Sequence, residues 1–89
     1  MRELRTSGKF GRDLKLVKKR GWKEDRLWQV VDLLLAGRKL EASRRPHKLS
    51  GDWQGYWECH IAPDWLLIWL DEPDAVTLTR TGTHADLFG

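Results

Sequence analysis

The first third of the chain carries two helical hydrophobic patterns that are separated by only two residues. The first pattern predicts a helix from a capping serine, Ser7, to Gly21, and the second predicts a helix from about Lys23 to Ala36. Apolar residues recur at helical spacing in both segments: Phe10, Leu14, Val17, Leu27, Val30, Val31 and Leu34. Because the link between them is so short, we predict an antiparallel helical hairpin.

The second half of the chain changes to the two-residue period of β-strands. From position 56 to 61, apolar residues alternate with polar ones, which predicts one face for the core and one face that carries titratable groups. The two faces are Trp57, Cys59 and Ile61 against Tyr56, Glu58 and His60. Residues 65–70 are almost continuously apolar, as in a central strand, and residues 75–81 predict a last strand.

Turn signals separate these segments and complete the predicted fold. Residues 62–64 and 71–74 contain Pro next to Asp, a combination typical of tight turns. Residues 1–6 predict a short first strand, residues 38–52 follow no period and predict a loop, and Gly82 releases a short tail. The order β-α-α-β-β-β predicts an α+β fold, in which a helical hairpin packs on a mostly antiparallel sheet.

Length and composition limit what the chain can be. Its 89 residues suffice for one core, so we predict a single domain over residues 1–89 and exclude a (β/α)₈ barrel. The lone Cys59 excludes an internal disulfide and favours a reducing compartment. The charged N-terminus and the shortness of every apolar run predict no signal peptide and no membrane contact, and therefore a cytoplasmic protein.

Charge is divided unequally between the two halves. Residues 1–50 hold 15 Lys and Arg against 6 Asp and Glu, whereas residues 51–89 hold 1 against 7. Arg12, Lys15 and Lys19 fall on the side of the first helix opposite its apolar stripe, which predicts a linear basic ridge. Such a ridge suits either a polyanion or simple exposure to solvent.

The titratable residues of the second half suggest chemistry. His47, His60 and His84 all follow the helices, and His60 and Asp64 flank the connection between two strands. If these strands form a hairpin, both side chains lie at the same end of it, where Asp64 could orient an imidazole or act as a base. Each histidine taken singly is more often an ordinary surface residue.

Two chemistries compete if these side chains converge. Zinc binding is disfavoured because the chain has no second cysteine and no helical His-x-x-x-His pair. Cleavage of RNA without a cofactor needs a base for the ribose 2′-OH, an acid for the leaving oxygen and a cation for the phosphoryl charge. Histidine suits both proton transfers, and we expect Arg80 and Lys48 to supply the cation.

The aromatic residues divide into two groups. Trp65 and Trp69 lie in the apolar run and predict core packing. Trp53, Trp57 and Phe88 lie in polar surroundings and are candidates to stack on a nucleotide base.

Four segments together resemble the YafQ group of the RelE/ParE toxin superfamily, the toxins of bacterial type II toxin–antitoxin pairs. The resemblance covers nearly the whole chain and is carried by residues 47–51, 53–56, 58–68 and 80–88, which include His47-Lys48-Leu49, Gly55-Tyr56, Pro63-Asp64-Trp65 and Arg80-Thr81-Gly82-Thr83-His84. It implies a RelE-like fold and an mRNA endonuclease that enters the ribosomal A site and uses no cofactor. It also implies a DinJ-like antitoxin that wraps the toxin and, with it, binds operator DNA.

The resemblance further implies site residues, at matching positions. His47, His60, Asp64 and His84 match the group's catalytic set, and Phe88 matches an aromatic that helps to place the nucleotide. We expect His84 to be the general acid and Asp64 or His60 the base. The basic ridge would meet ribosomal RNA.

The chain departs from the group at two positions. Trp57 stands where the group usually has Arg, and Pro46 stands where an acidic residue often precedes the histidine, so Arg44 and Arg45 are the candidates to compensate. Two other functions stay open: a ParE-like inhibitor of DNA gyrase, which needs no titratable set, and an RNA-binding module without catalysis.

Overall fold

The computed structural model describes residues 1–89, which form five strands and three α-helices. The elements are β1 (Glu3–Thr6), α1 (Gly8–Lys19), α2 (Glu24–Leu35), β2 (His47–Lys48), β3 (Tyr56–Ala62), β4 (Trp65–Asp71), β5 (Ala75–Gly82) and α3 (His84–Phe88). Two 3₁₀ turns, Ala42–Arg44 and Gly51–Trp53, flank β2. The predicted α+β fold is confirmed. No helix of the structure is long and apolar enough to cross a membrane.

One mixed sheet has the strand order β1-β5-β4-β3-β2. Only the β1–β5 pair is parallel, and β3, β4 and β5 follow one another as antiparallel neighbours. The apolar strand β4 is the middle strand, as its composition predicts, because both of its edges and both of its faces are covered.

The helical hairpin begins and ends where the sequence predicts. The Ser7 hydroxyl accepts a hydrogen bond from the Phe10 amide at 3.0 Å, which caps α1. Gly21 and Gly37 follow the two helices with φ of 74° and 70°, a conformation that glycine adopts without steric cost. These two glycines therefore end the helices and turn the chain back.

The main core lies between the helices and one face of the sheet. Its members include the helical stripe and the apolar face of β3, namely Phe10, Val17, Leu27, Val30, Val31, Leu34, Cys59 and Ile61. Trp65 and Trp69, at 4% and 3% exposure, pack here as predicted. Burial raises the pKa of the Cys59 thiol to about 12, so this cysteine is a packing residue with little thiolate character.

The opposite face of the sheet carries a second, smaller apolar cluster. Leu66, Ile68 and Leu87 are buried there, and Leu49, Trp53 and Tyr56 pack around them. Leu87 belongs to α3, so the C-terminal residues form a helix that covers this face. The predicted tail is therefore wrong. Thr83 caps α3: its side chain accepts a hydrogen bond from the Asp86 amide, and the Asp86 side chain accepts one from the Thr83 amide.

The predicted loop over residues 38–52 is also partly wrong. It contains the two-residue strand β2, in which His47 pairs with Glu58 and Lys48 pairs with Trp57 on β3. Two residues are too few to establish a period, so the strand leaves no pattern in the sequence. Its register decides which side chains reach the candidate site.

Candidate active site

Asp64 and His84 form the centre of the candidate site. Asp64 lies in the two-residue turn between β3 and β4, and His84 is the first residue of α3. One Asp64 oxygen, Oδ1, accepts a hydrogen bond from the His84 backbone amide at 3.0 Å and lies 2.7 Å from His84 Nδ1. Since the carboxylate accepts, Nδ1 carries the proton, and Nε2 is the ring nitrogen left for a substrate.

These contacts change the acidity of Asp64. The hydrogen bond from the His84 amide, followed by the one from the His84 ring, holds the pKa of Asp64 below its ordinary value. Asp64 thus stays ionised at neutral pH. A carboxylate in this state accepts the ring N–H of His84 and is a poor base itself.

His60 completes a group of three titratable side chains. Its ring centroid lies 5.8 Å from that of His84, and its Nδ1 lies 3.2 Å from the Pro63 carbonyl oxygen. Donation from Nδ1 to this carbonyl leaves Nε2 of His60 as a proton acceptor. The structure therefore brings His60, Asp64 and His84 together, as the predicted hairpin requires.

His47 lies on the same face of the sheet, opposite Glu58, which is two residues before His60 on β3. Its Nδ1 lies 2.8 Å from the Arg45 carbonyl oxygen and its Nε2 lies 3.3 Å from Glu58 Oε1. Glu58 is a buried carboxylate, 5% exposed, whose other oxygen has no hydrogen-bond partner. Both nitrogens of His47 face acceptors, so this ring is held in place from two sides.

Sequence reasoning did not identify Glu58 as the partner of His47. The alternation along β3 does predict that Glu58 lies on the face that carries the titratable groups. The contact between Glu58 and His47, however, depends on the register of β2, which the sequence does not reveal. The predicted loss of an orienting group at Pro46 is thereby offset, because Glu58 and the Arg45 carbonyl orient His47 instead.

Aromatic side chains border the site at the C-terminus. Phe88, 48% exposed, meets the half-buried Trp53 edge to face at a centroid distance of 6.2 Å, and Trp53 meets Tyr56 at 5.5 Å. Phe88 and Trp53 remain candidates to stack on a base. Trp57 does not: it stacks on Trp69 on the helical face of the sheet, away from the histidines.

The two cations predicted for the site differ in where they lie and in what they contact. Lys48 shares the helical face with Trp57, and its Nζ lies 5.6 Å from that ring, so it is on the opposite side of the sheet from His60. Arg80 makes a two-point ion pair with Asp13 of α1, at 2.7 and 3.1 Å. This pair raises the pKa of Arg80 and already neutralises its charge. Arg80 pairs with Ile68, which pairs with Glu58, so Arg80 lies on the histidine face of the sheet and stays a predicted phosphate ligand, whereas Lys48 lies on the other face.

Helix α3 is fixed to the body of the molecule by Asp86. This carboxylate accepts hydrogen bonds from both terminal nitrogens of Arg20, at 2.6 and 3.1 Å, and from the Thr83 amide at 2.9 Å. The Arg20 contacts, ahead of the Thr83 bond, hold the pKa of Asp86 far below its ordinary value. The end of α1 thereby positions the helix that carries His84.

The basic ridge is free to meet a partner. Arg12, Lys15 and Lys19 are exposed on α1 and form no ion pair within the chain, whereas Lys18 lies 4.0 Å from Glu24. A metal, in contrast, has no evident place: nowhere are three His, Cys, Asp or Glu side chains grouped so that they could hold an ion.

The fold and the site define a small α+β domain with a histidine–aspartate centre, and comparison with known proteins gives the family. The family model for YafQ, a bacterial toxin of type II toxin–antitoxin systems, matches residues 2–89, and this chain belongs to that family. It is similar to the mRNA interferase toxin YafQ of Escherichia coli K12, with 38% identity over 89 residues that cover 99% of this chain and 97% of the relative.

Solved structures agree with this assignment. The E. coli DinJ–YafQ complex contains a chain that is 38% identical, with full coverage of both chains and a TM-score of 0.93. A metal-bound toxin from Helicobacter pylori is 34% identical, with 99% of this chain and 100% of the other covered and a TM-score of 0.92. At these identities the likeness extends beyond the fold to the family.

Proposed function

We propose that this chain is an mRNA interferase that cuts messenger RNA in the ribosomal A site by acid–base catalysis without a metal. The observation that carries the proposal is the meeting of His60, Asp64 and His84 beside the exposed ring of Phe88. The relatives named as mRNA interferases support the same activity.

The geometry favours one division of roles among these groups. His60, whose Nδ1 faces the Pro63 carbonyl, is the general base that takes the ribose 2′-OH proton at Nε2. The 2′-oxygen attacks the adjacent phosphorus, the bond to the 5′-oxygen breaks, and His84 protonates that oxygen from Nε2. Asp64 stabilises the imidazolium form of His84. Phe88 stacks on a base beside the cut.

The rest of the chain serves delivery and control. Residues 1–89 act as one toxin domain, and the basic ridge contacts ribosomal RNA, which places the protein in the cytoplasm. A cognate antitoxin wraps the toxin, and the E. coli relative likewise forms a complex with DinJ. Operator DNA is reached only through that complex. Antitoxins of this kind would meet the basic half of the chain with acidic residues.

Mapping the 5′ ends of messages in bacteria that express this chain tests the proposal. We expect new ends within codons of translated messages, and loss of these ends together with restored growth for His84→Ala and His60→Ala. The matched control is Arg38→Ala, which removes a charge on another side of the molecule. Growth arrest by both histidine variants would contradict the acid–base mechanism, and DNA breaks without RNA cuts would indicate a gyrase inhibitor instead.

A further inference from the structure

A second basic feature lies next to the histidines and has no part in the mechanism above. It is a cleft of about 480 Å³ whose wall includes the end of β3, His60–Pro63, and three arginines from separate parts of the chain. Arg26 comes from α2, whereas Arg44 and Arg45 come from the end of the 3₁₀ turn before β2. Glu41 is the one acidic residue that lines it, so the cleft is strongly positive.

Arg44 anchors this cleft to the candidate site. Its Nη1 donates to the backbone carbonyls of Ile61 at 3.1 Å and His60 at 3.4 Å, and the side chain is partly buried. The guanidinium is therefore held against the end of β3, just before the turn that carries Asp64. Its remaining N–H groups are fixed in orientation, which lowers the entropy cost of binding an anion.

Arg45 has a backbone conformation that also links the cleft to the site. With φ of 49° and ψ of 52°, it is the sole residue other than glycine in the left-handed region. This conformation is unfavourable for a side chain with a Cβ and persists where neighbouring contacts fix it. Here it directs the Arg45 carbonyl to His47 Nδ1 at 2.8 Å while its side chain lines the cleft.

Two of the three guanidiniums are free to bind a ligand. Neither Arg26 nor Arg45 forms an ion pair, and both are exposed, in contrast to Arg80 and Arg20, which are paired with Asp13 and Asp86. Planar guanidiniums are suited to phosphate, which they bind through two parallel N–H groups. His60 lines the cleft and belongs to the histidine group, so the two features adjoin at the end of β3.

We propose that this arginine cleft, formed by Arg26, Arg44 and Arg45, binds a phosphate of the RNA strand next to the one that is cut. The proposal rests on the proposed ribonuclease function and specifies how its substrate is placed. The strand would run from the His60–His84 pair past His60 into the cleft. This second phosphate site would add positive charge beside the histidines, at the phosphate next to the one that is cut.

Binding of RNA oligonucleotides by the isolated full chain tests the cleft. The probe is a single RNA strand whose reacting nucleotide lacks its 2′-OH, so that the strand binds without being cut. It is prepared in several lengths: some end at the scissile phosphate, and others extend beyond it on one side or the other. Arg26→Gln and Arg45→Asn remove the two free charges, and asparagine tolerates the left-handed conformation. Arg38→Gln is the control, and thermal melting checks that each variant folds.

Extension of the probe on one side should increase the affinity of the parent chain, and this increase should be absent in the double variant. Each arginine removed should lower the slope of log affinity against log salt concentration by about 0.7. Arg38→Gln should keep both the increase and the slope. An unchanged increase and slope in the double variant would overturn the proposal, as would a variant that binds RNA normally and only its antitoxin less tightly.

Cleavage by the parent chain separates this proposal from the function on which it rests. If the parent cuts messages on ribosomes but the slope does not change, the cleft is not a phosphate site and the ribonuclease remains. If no cuts occur but the slope falls as expected, the cleft binds RNA and the assigned catalysis is wrong.

Discussion

At the scale of single residues, the site depends on which atoms of each histidine remain free. Asp64 occupies Nδ1 of His84, the Pro63 carbonyl occupies Nδ1 of His60, and both rings keep Nε2 for the substrate. Two imidazoles with opposite proton roles match the needs of 2′-OH attack, because one must take up a proton while the other supplies one. The carboxylate acts through His84 and is therefore a positioning residue.

Replacement of Asp64 tests this role. We expect Asp64→Asn to lower kcat for RNA cleavage by about 10²-fold with little change in KM, because the neutral amide no longer stabilises the imidazolium. The pH dependence of the remaining activity should also change shape, which mere loosening of the turn would not cause. Asp52→Asn, an exposed carboxylate in a 3₁₀ turn, is the control. Unaltered kcat and pH profile in Asp64→Asn would show that the pair has no catalytic role.

Acid titration gives an independent measure of the same contact. Hydrogen bonds from His84 lower the pKa of Asp64. The folded chain therefore holds this carboxylate ionised at pH values where an unfolded Asp, whose pKa is ~3.9, takes up a proton. The stabilisation is complete above that value and is lost as the pH falls through the lower, folded pKa. Carboxyl NMR titration of the parent should give a pKa for Asp64 below that of an unfolded Asp, and His84→Ala should move it upward. Equal values in both chains would disprove the contact.

The residues of the site were predictable to different extents. His60 and Asp64 could be placed together from the sequence, because a short turn between two strands fixes both at one end of a hairpin. The contact between Asp64 and His84 joins positions 20 residues apart and depends on how α3 returns to the sheet. The sequence could not place Lys48 relative to the histidines, because the residue that it pairs with, Trp57, is known only from the register of β2.

At the scale of elements, α3 is the least predictable part of the fold and the one that the site needs most. Five residues are too few for a periodic pattern, and the helix exists because a capping box, an ion pair with Arg20 and the burial of Leu87 hold it. The helical hairpin and the three long strands are predictable, because the pattern of apolar and polar residues repeats several times in each of them.

Gly82 controls the approach of α3 to the sheet. At its φ of 153°, a Cβ would lie 2.8 Å from Asp86 Oδ2 and 3.1 Å from Asp86 Cβ. Gly82→Ala should therefore push Asp86 away from Arg20 and destabilise the chain by about 1–3 kcal/mol. Because His84 moves with α3, RNA cleavage should fall as well. Chemical denaturation and cleavage assays measure both effects.

Gly11→Ala is the matched control for this prediction. Gly11 lies within α1, and a Cβ there would meet nothing within 4 Å. Alanine should stabilise the helix by up to about 1 kcal/mol and leave cleavage unchanged. If Gly82→Ala behaved like Gly11→Ala, the close packing of Gly82 against Asp86 would not be what positions α3.

At the scale of the whole molecule, the proposed function assigns two basic features to different parts of one polyanion. The ridge of Arg12, Lys15 and Lys19 lies along α1, whereas the arginine cleft opens beside His60. A small enzyme that works inside a large assembly needs surface for the assembly as well as for the scissile bond, and phosphate contacts provide affinity without reading sequence. The uneven charge of the chain thus corresponds to a division between docking and chemistry.

Neutralising part of the ridge should separate docking from catalysis. We expect Lys15→Gln with Lys19→Gln to weaken association with ribosomes and to lower its salt slope by about 2, because each lysine neutralises one phosphate. Cleavage of a minimal oligonucleotide, too short to reach α1, should proceed at the parental rate. The control is Arg38→Gln with Lys39→Gln, which lowers the net charge by the same amount. Both residues are exposed and line the groove beside Trp57, so ribosome binding should be unaltered. Equally weakened binding in both double variants, measured by co-sedimentation over a salt series, would mean that total charge and not the ridge brings the toxin to the ribosome.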